Sequence, residues 1–259
     1  MSIHPTAVID SSAVVDPTAE VGAYAVIGPR TVVGPEVEIR PHVVIDKDTT
    51  IGRGSRIFSF ASVGGDPQDL KYKGERTSLV IGENVTIRES STIHRGTIGG
   101  GGATVIGDGC LLMATVHVAH DCHLGPEIIM SSYAVLAGHI TIGEGAIIGG
   151  LTGIHQFCRV GAHAFIGGFS GLSKDMPPYM CGAGDNRRLV LTGPNAIGLR
   201  RRGMPQATID ALKSAFHIIC RNRRPLGEVL AEAEAGYGTV PEVRALLDFY
   251  RSSKRGVWR

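Results

Sequence analysis

The chain has 259 residues, of which 43% are hydrophobic and 5% aromatic, and its formal net charge is +2. No apolar run approaches the roughly 18 residues of a membrane-spanning helix, and the first ten residues, MSIHPTAVID, lack the features of an export signal. Five cysteines without a CxxC pair do not resemble a disulfide framework and favour a reducing compartment. We therefore expect a cytoplasmic protein without an integral membrane segment.

The small net charge hides an uneven distribution. Residues 1–186 contain 12 Lys and Arg against 18 Asp and Glu, whereas residues 187–259 contain 14 against 6. The C-terminal quarter is therefore a basic module with a formal charge of +8. Nucleic acid, a membrane surface and an acidic protein all suit such a module, and charge alone does not choose among them.

An aliphatic residue returns at every sixth position, from Ile3 to Val63 and again from Ile106 to Leu172. Period six fits neither an amphipathic helix nor a two-sided strand. Hexapeptide repeats of this kind indicate a parallel β-helix, in which each hexad forms one short strand and a turn. The residue four places after the aliphatic is usually small, which predicts one large and one small inward position per hexad.

This register suggests structural roles for cysteine and glycine. Three cysteines occupy the small inward position, so we interpret them as buried core residues rather than nucleophiles or metal ligands: Cys110, Cys122 and Cys158. Glycine often follows the aliphatic residue, as at Gly22 and Gly52. Glycine suits a corner that requires either a positive φ or close backbone approach.

The repeat is interrupted twice. Between Val63 and Ile81, charged residues and proline stand where aliphatics are due, which predicts an external loop at about residues 64–79. Between Ile93 and Ile106 the spacing is 13, one more than two hexads, and we expect the GGGG run at 99–102 to absorb the extra residue.

The repeat ends after Leu172, and from about residue 205 the apolar spacing becomes helical. Three helices are predicted: one beginning near residue 205, one after Pro225, and one from Thr239, where Glu242 completes a capping box. We predict a β-helix over residues 1–190 and a helical C-terminal domain over residues 191–259.

Histidines are concentrated in the most regular part of the repeat. Three hexads make one coil, so positions 18 apart lie above each other on one face, about 4.8 Å apart along the axis. The hexads that begin at positions 118, 136 and 154 share a face. Four histidines are thereby predicted to cluster on its outer surface: His117, His120, His139 and His155.

Such a cluster supports two chemistries. One histidine can act as a general base, because its reference pKa is close to neutrality. Alternatively, three histidines can bind zinc and leave a fourth position for water. Asp121, which follows His120 directly, suits either reading, as a partner that raises the basicity of the imidazole or as an orienting group. Spacing does not separate the two, nor does it exclude a chance cluster of solvated histidines.

Six segments resemble one known family across essentially the whole chain. They occur in this order: QDLKYKGE at 68–75, ESSTIHRGT at 89–97, HVAHDC at 117–122, LAGH at 136–139, IHQFC at 154–158 and NAIGLRRRG at 195–203. Together they resemble the UDP-N-acetylglucosamine O-acyltransferases that begin lipid A synthesis. The resemblance implies a mainly β fold, a left-handed parallel β-helix with a small helical C-terminal domain, although parallel crossovers are usually right-handed.

The resemblance also implies the reaction and its partners. A long-chain (R)-3-hydroxyacyl group passes from the phosphopantetheine of acyl carrier protein to the 3-hydroxyl of UDP-N-acetylglucosamine, without a cofactor or metal. The enzyme is a homotrimer whose active sites lie between subunits. The basic tail then suits acyl carrier protein, which is acidic, rather than nucleic acid.

Residue roles follow from the same resemblance. His120 is implied as the general base, with Asp121 supporting its imidazole and the Gly138 backbone N–H stabilising the oxyanion. Eight residues are implied in binding the sugar nucleotide or the acyl-pantetheine arm: Asp69, Lys71, His117, His139, His155, Gln156, Asn195 and Arg201. Gly168 lies where the family sets the depth available to the acyl chain, and its missing side chain predicts a long chain.

One departure and several alternatives stand beside this reading, among them a non-catalytic solenoid that serves as a binding scaffold. Ile197 occupies a position where relatives have an acidic residue that contributes to ribose binding, which puts that contact in doubt. The same fold could acylate a 3-amino UDP-sugar to give an amide, or a different hydroxyl of the sugar. More remotely, stacked histidines on a trimeric hexapeptide fold are typical of a zinc hydratase of the gamma carbonic anhydrase type.

Overall fold

The computed structural model describes residues 2–185, 189–221 and 224–259. Each hexad forms one short strand that pairs in parallel with the strand one coil away, as Val21 pairs with Ile39. The strands form three long sheets, one on each wall of a prism. The sequence therefore folds into the left-handed parallel β-helix that its repeat and its resemblance predict.

In each sheet the strands follow one another along the prism axis. The first sheet contains Ser2–Ile3, Glu20–Val21, Glu38–Ile39, Arg56–Ile57, Thr86–Ile87, Leu111–Leu112, Ile129–Met130, Ile147–Ile148, Phe165–Ile166, Met180–Gly184 and Leu189–Pro194. The second sheet contains Val8–Ile9, Val26–Ile27, Val44–Ile45, Ser62–Gly65, Thr92–His94, His117–Val118, Val135–Leu136, Gly153–Ile154 and Gly171–Leu172. The third sheet contains Val14–Val15, Val32–Val33, Thr49–Ile51, Ser78–Ile81, Ala103–Ile106, His123–Leu124, Thr141–Ile142 and Arg159–Val160.

The interior contains the two inward positions of each hexad. Large aliphatics such as Ile27 and small residues such as Ala25 are both buried. The three cysteines at the small position are buried as predicted, and burial raises the pKa of the Cys110 and Cys158 thiols to about 11 and that of Cys122 to about 12. Because the thiolate is the reactive form, these thiols are core residues and not nucleophiles.

Corner glycines are required by close packing, not by a positive φ. A Cβ on Gly52 would stand 2.5 Å from the carbonyl carbon of Gly82 in the next coil, nearer than side-chain carbons approach backbone. The left-handed conformation belongs instead to a later corner position, which is occupied by larger residues such as Tyr24, His42 and Phe60. Of the two explanations that the sequence left open, close approach is correct for Gly52.

Two excursions leave the prism without disturbing its register. Ile81 pairs with Ile51, which lies 30 residues earlier, whereas a regular coil has 18 residues. The first excursion therefore adds twelve residues to its coil. Strand structure ends at Gly65 and resumes at Ser78. Residues 66–77 between them form the external loop. Ile106 pairs with Ile81, 25 residues earlier, so the second excursion inserts seven. The prediction of two hexads plus one residue is therefore wrong: residues 93–106 are one hexad plus seven residues.

The tail begins with an antiparallel hairpin formed by Met180–Gly184 and Leu189–Pro194. Four helices follow: α1, Ala196–Arg201; α2, Gln206–Cys220; α3, Leu226–Tyr237; and α4, Pro241–Ser252. The three predicted helices are α2, α3 and α4, and the short α1 went unpredicted. The capping box is wrong, because Pro241 occupies the first turn of α4, where proline is favoured, and Val240 precedes it without a side-chain cap.

The helices cover the C-terminal end of the prism. Helix α2 buries Ile209, Leu212, Phe216 and Ile219, the face that the spacing predicts. The chain end returns to the prism, where the Asp175 backbone N–H donates to Gly256 O at 2.9 Å. The domain boundary predicted at residue 190 falls inside a hairpin strand and stays a prediction. Within the described residues, no helix has the length and apolarity needed to cross a membrane.

Candidate active site

A cavity of about 760 Å³ lies on the outer surface of the second sheet. It brings together residues from four successive coils and from the external loop. Its polar lining includes Gln68, His117, His120, His155 and Gln156. Its apolar wall includes Val135, Gly153 and Gly171, which are aligned by the strand register, so two successive glycines leave a groove below Val135.

The central pair of the cavity is His120 and Asp121. His120 Nδ1 lies 2.7 Å from Asp121 Oδ2. Because a carboxylate only accepts, Nδ1 carries the proton and Nε2 is left as a base. The imidazole is 12% exposed and the carboxylate is fully buried. The pair therefore presents a fixed basic nitrogen at the cavity surface.

The Asp121 carboxylate is held by Thr97, which lies in the second excursion between Ile93 and Ile106. Thr97 donates twice, from its backbone N–H to Oδ1 and from its hydroxyl to Oδ2, both at 2.7 Å. The Asp121 N–H in turn donates to Thr104 Oγ1 at 2.8 Å. Three hydrogen bonds, two from Thr97 and one from His120, therefore fix the orientation of this buried carboxylate against the imidazole.

Two glycines give this pair its space. A Cβ on Gly138 would lie 2.6 Å from His120 Cε1. A Cβ on Gly100 would lie 1.9 Å from the carboxyl carbon of Asp121. The GGGG run is therefore more than a spacer, because Gly100 closes over the carboxylate. Glycine at both positions follows from close approach rather than from backbone conformation.

His139 packs against the pair but is not among the residues that line the cavity. Its ring stacks on Phe157 with centroids 4.5 Å apart and meets the His120 ring edge-on at 5.1 Å. His139 Nε2 is 3.6 Å from Asp121 Oδ2. Burial lowers the pKa of His139, and the nearby Asp121 carboxylate opposes that shift. At neutral pH this imidazole is mainly uncharged.

A fifth histidine, His94, joins the cluster and was missed by the sequence analysis. Its ring packs edge-on against His117 at 5.0 Å, and His117 Nδ1 hydrogen-bonds Thr92 Oγ1 at 2.7 Å. Burial lowers the pKa of His94 to about 4, and it also lowers the pKa of His117. Because residues 93–106 contain one hexad plus seven residues, His94 lies on the same face as His117. The two hexads assumed from the sequence would put His94 on a different face of the prism.

Three ligand-type side chains come close enough to consider a metal. Nitrogen and oxygen atoms of His120, Asp121 and His139 lie within 4.8 Å of one another. However, Asp121 already accepts from Thr97 and His120, and the His139 ring lies flat on Phe157. The donor set fits a hydrogen-bonded acid–base pair better than the three-histidine zinc site considered from the sequence.

His155 and Gln156 form the opposite edge of the cavity, and both are exposed. His155 Nδ1 lies 3.2 Å from the backbone oxygen of Gln156 and 3.4 Å from a guanidinium nitrogen of Arg255. The C-terminal segment thus reaches the cavity. Sequence reasoning had no signal for this contact, because it joins residues 100 positions apart.

The external loop lies beside the cluster. Asp69 accepts a hydrogen bond from the Lys71 backbone N–H at 2.9 Å. Asp69 and Lys71 are both near enough to His139 to act on its pKa in opposite directions. Leu70 between them is 98% exposed. The structure therefore brings the two predicted loop residues towards the histidine cluster.

The remaining predicted residues do not line this cavity. Asn195 caps α1: its side-chain oxygen accepts from Gly198 N at 3.2 Å, and its amide donates to His163 O at 3.2 Å. Arg201 in the last turn of α1 is exposed, and Ile197 is 64% exposed. Gly168 is exposed beside Phe169, an 81% exposed aromatic residue that does line the cavity.

Comparison with known proteins gives a consistent picture. A family model described as UDP-N-acetylglucosamine O-acyltransferase, domain 2, matches residues 175–258. An acyl-[acyl-carrier-protein]–UDP-N-acetylglucosamine O-acyltransferase from Burkholderia thailandensis is 47% identical over 208 residues, which cover 79% of each protein. The UDP-N-acetylglucosamine O-acyltransferase structure from Moraxella catarrhalis is 41% identical, with a TM-score of 0.96 over 100% of both chains.

A second solved structure agrees over the same length. The UDP-N-acetylglucosamine acyltransferase from Bacteroides fragilis is 38% identical, with a TM-score of 0.96 over 99% of this chain and 100% of that one. Sequence identity and whole-chain superposition thus agree across both the prism and the helical tail. The chain belongs to the UDP-N-acetylglucosamine O-acyltransferase family.

Proposed function

We propose that this protein transfers a long-chain (R)-3-hydroxyacyl group from acyl carrier protein to the 3-hydroxyl of UDP-N-acetylglucosamine, the first step of lipid A synthesis. A relative that matches 79% of the chain is named for this acyl transfer from acyl carrier protein, and a structure that matches the whole chain is named as a UDP-N-acetylglucosamine O-acyltransferase. The observation that carries the chemistry is the His120–Asp121 pair at 2.7 Å, which leaves Nε2 free at the cavity surface.

The mechanism follows from that pair. His120 Nε2 takes the proton of the sugar 3-hydroxyl while the oxygen attacks the thioester carbonyl, and the Asp121 carboxylate stabilises the imidazolium. The Gly138 N–H donates to no other group in the described chain, so it is available to the oxyanion. When the tetrahedral intermediate collapses, the C–S bond breaks and the pantetheine thiolate leaves. The imidazolium then returns the proton to that sulfur. No cofactor is required for this sequence.

The binding groups surround this centre. We propose that His117, His139, His155 and Gln156 hold the sugar nucleotide or the pantetheine arm, together with Asp69 and Lys71 of the loop. The positions of His117, His155 and Gln156 in the cavity lining, and the nearness of Asp69 and Lys71 to His139, support this proposal. Asn195 and Arg201 contribute from the tail, where a guanidinium suits a diphosphate. Neither lines the cavity of a single chain, which supports a homotrimer with active sites between subunits.

Acyl carrier protein is the proposed macromolecular partner. The tail combines a formal charge of +8 with a position at the end of the acidic prism, so an acidic carrier protein is attracted to it. Binding should weaken as salt is added, because the Debye length shrinks from about 10 Å at 0.1 M to about 3 Å at 1 M. Equal affinity at low and high salt would contradict this role of the tail.

The deciding experiment is an acyl-transfer assay with purified protein, acyl carrier protein donors and two acceptors. UDP-N-acetylglucosamine should be acylated in preference to its 3-amino analogue. Preference for the analogue would assign the amide-forming reaction instead. Mass spectrometry of the product after ester-cleaving base treatment separates the two outcomes. The remote zinc hydratase reading predicts stoichiometric zinc and loss of activity with chelator, so the same preparation tests it.

A further inference from the structure

The external loop is fastened to the prism by one fully buried cation, Arg95. Its side chain is 0% exposed. The guanidinium donates to the backbone oxygen of Gly64 and to the Asp66 carboxylate at the start of the loop. It also contacts the Tyr72 hydroxyl at 3.3 Å and pairs with Asp46 at 3.3 Å. Both terminal nitrogens of the guanidinium therefore have hydrogen-bond partners, whereas Nε is buried without one. Removing a cation from water is costly, so the loss of any of these partners would be felt at the base of the loop.

The backbone of the same segment ties both ends of the loop. The Arg95 N–H donates to Gly65 O at 3.0 Å, where the loop leaves the prism. The Gly96 N–H donates to Ser78 O at 3.1 Å, where the loop returns. Within the loop, Tyr72 donates to Glu75 O at 3.0 Å, so the hydroxyl that faces Arg95 also braces the far side. The loop is thus closed at its base around one side chain.

Residues on either side of Arg95 touch the reacting groups. His94 packs against His117, and Thr97 holds the Asp121 carboxylate that supports His120. One extended segment, residues 94–97, therefore contacts the histidine cluster, the loop and the catalytic carboxylate in turn. Residues 94–97 therefore fix the position of the external loop relative to the His120–Asp121 pair.

The loop depends on this anchor for its position. Residues 66–77 form no helix or strand, and Leu70 at the tip is 98% exposed. Yet Gln68 lines the cavity, and Asp69 and Lys71 act on His139. Two other ion pairs join the loop to the prism, Lys47 with Asp66 at 3.7 Å and Arg76 with Asp48 at 3.1 Å, but each includes a largely exposed side chain. Exposed ion pairs hold a segment weakly, so the buried Arg95 is the contact that can keep the base of the loop rigid.

We propose that Arg95 is a positioning residue, which sets the external loop over the cavity so that Asp69 and Lys71 meet the acceptor substrate. The proposal rests on the proposed acyl transfer for its kinetic part only. Lysine cannot replace arginine here, because an ammonium is a point donor and does not span Gly64 O, Asp66 and Tyr72 together. The anchor also has a partner that can be changed without touching the core, since the Asp66 side chain is 57% exposed.

The test compares Arg95→Lys and Asp66→Asn with the wild-type protein in two measurements. The first is the rate of tryptic cleavage after Lys71 and Lys73, followed by mass spectrometry on the native protein. The second is the separate determination of KM for UDP-N-acetylglucosamine and kcat. Arg53→Met is the matched control, because Arg53 is a half-exposed arginine that pairs with Glu36 on the prism wall.

Both variants should be cut at least about tenfold faster in the loop and should raise KM about 10- to 100-fold with kcat within about threefold, the signature of lost substrate positioning. Arg53→Met should change neither. If Asp66→Asn and folded Arg95→Lys leave cleavage and KM unchanged, the proposal is wrong. A fall in kcat alone, with unchanged KM and cleavage, indicates general structural damage and also overturns it. Absence of acyl transfer in wild type would refute the proposed function, whereas the cleavage rates would still test the anchor.

Discussion

Gly138 lies so close to the His120 imidazole that a Cβ at this position would stand 2.6 Å from Cε1. The His120 ring cannot rotate away from this Cβ without breaking the hydrogen bond between its Nδ1 and Asp121. We expect Gly138→Ala to displace the imidazole and lower kcat about 10- to 100-fold, as a misplacement of about 1 Å can. The control is Gly227→Ala in α3, where an added Cβ meets nothing within 4 Å. Equal activity of both variants would show that the imidazole position is not limiting.

Removing the base itself should cost more. His120→Ala is expected to reduce kcat at least about 100-fold, the lower end for loss of a general base, while thermal unfolding and oligomeric state stay unchanged. His123→Ala is the matched control, since His123 is an exposed histidine on the third sheet. The measurement is a steady-state assay with size-exclusion chromatography on each variant. An active His120→Ala enzyme would assign the base to another group.

The GGGG run contains a built-in comparison. A Cβ on Gly100 would lie 1.9 Å from the Asp121 carboxyl carbon, whereas one on Gly99 would lie 4.0 Å from Thr97 Oγ1. Neither glycine has a positive φ, so alanine is allowed by the backbone at both. We expect Gly100→Ala to lose most of its kcat and some stability, and Gly99→Ala to behave as wild type. Two variants with the same kcat would refute the role of Gly100 in packing the carboxylate.

Acid should destabilise the fold through His94. Its folded pKa of about 4 lies below the reference value of 6.5, so the unfolded chain binds the proton more readily. The resulting stability is complete above pH 6.5 and is lost as the pH falls towards 4, by ~3 kcal/mol at most. His94→Gln should flatten the pH dependence of the urea midpoint over this window. His4→Gln, which alters an exposed histidine, should leave the slope intact, and an unchanged slope in His94→Gln would count against the prediction.

Donor length is the fifth measurable property. The family resemblance implies that Gly168 sets the depth available to the acyl chain, and its neighbour Phe169 lines the cavity. We infer that the acyl chain passes this point, where Gly168 has no side chain to block it. We expect fourteen-carbon 3-hydroxyacyl donors to react faster than ten-carbon donors, and Gly168→Leu to reverse that order by filling the groove. A competition assay with both donors gives the ratio directly. Faster transfer of ten-carbon chains by the wild-type protein would contradict the prediction.

The prism was predictable from sequence because period six appears in every coil and allows one register. That register put Cys110, Cys122 and Cys158 inside and gathered four histidines on one face. It failed where the repeat is broken, since a run of glycines gives no indication of which residues leave the prism. The length of the second excursion decides whether His94 faces His117, and the strand pairings of Ile106 with Ile81 and of Val118 with Ile93 fix that length.

Contacts between distant segments were also beyond sequence reasoning. Nothing in the residue pattern shows that Thr97 holds Asp121 or that Arg255 reaches His155. Helix starts were similarly ambiguous: Thr239 and Glu242 have the spacing of a capping box, yet proline at 241 starts α4 with its fixed φ. Local propensity placed the helices, whereas tertiary contacts determined the site.

The pairing of Ile81 with Ile51 has a consequence for how this scaffold can change. The inward side chains on either side of the external loop stack as if the loop were absent. Its length can therefore change while the stacked aliphatic contacts of the prism are retained. Its composition is less free, because Asp66 and Tyr72 are partners of the buried Arg95. A loop grafted between Gly65 and Ser78 would suit this prism if it kept those two partners and changed only the exposed tip around Leu70.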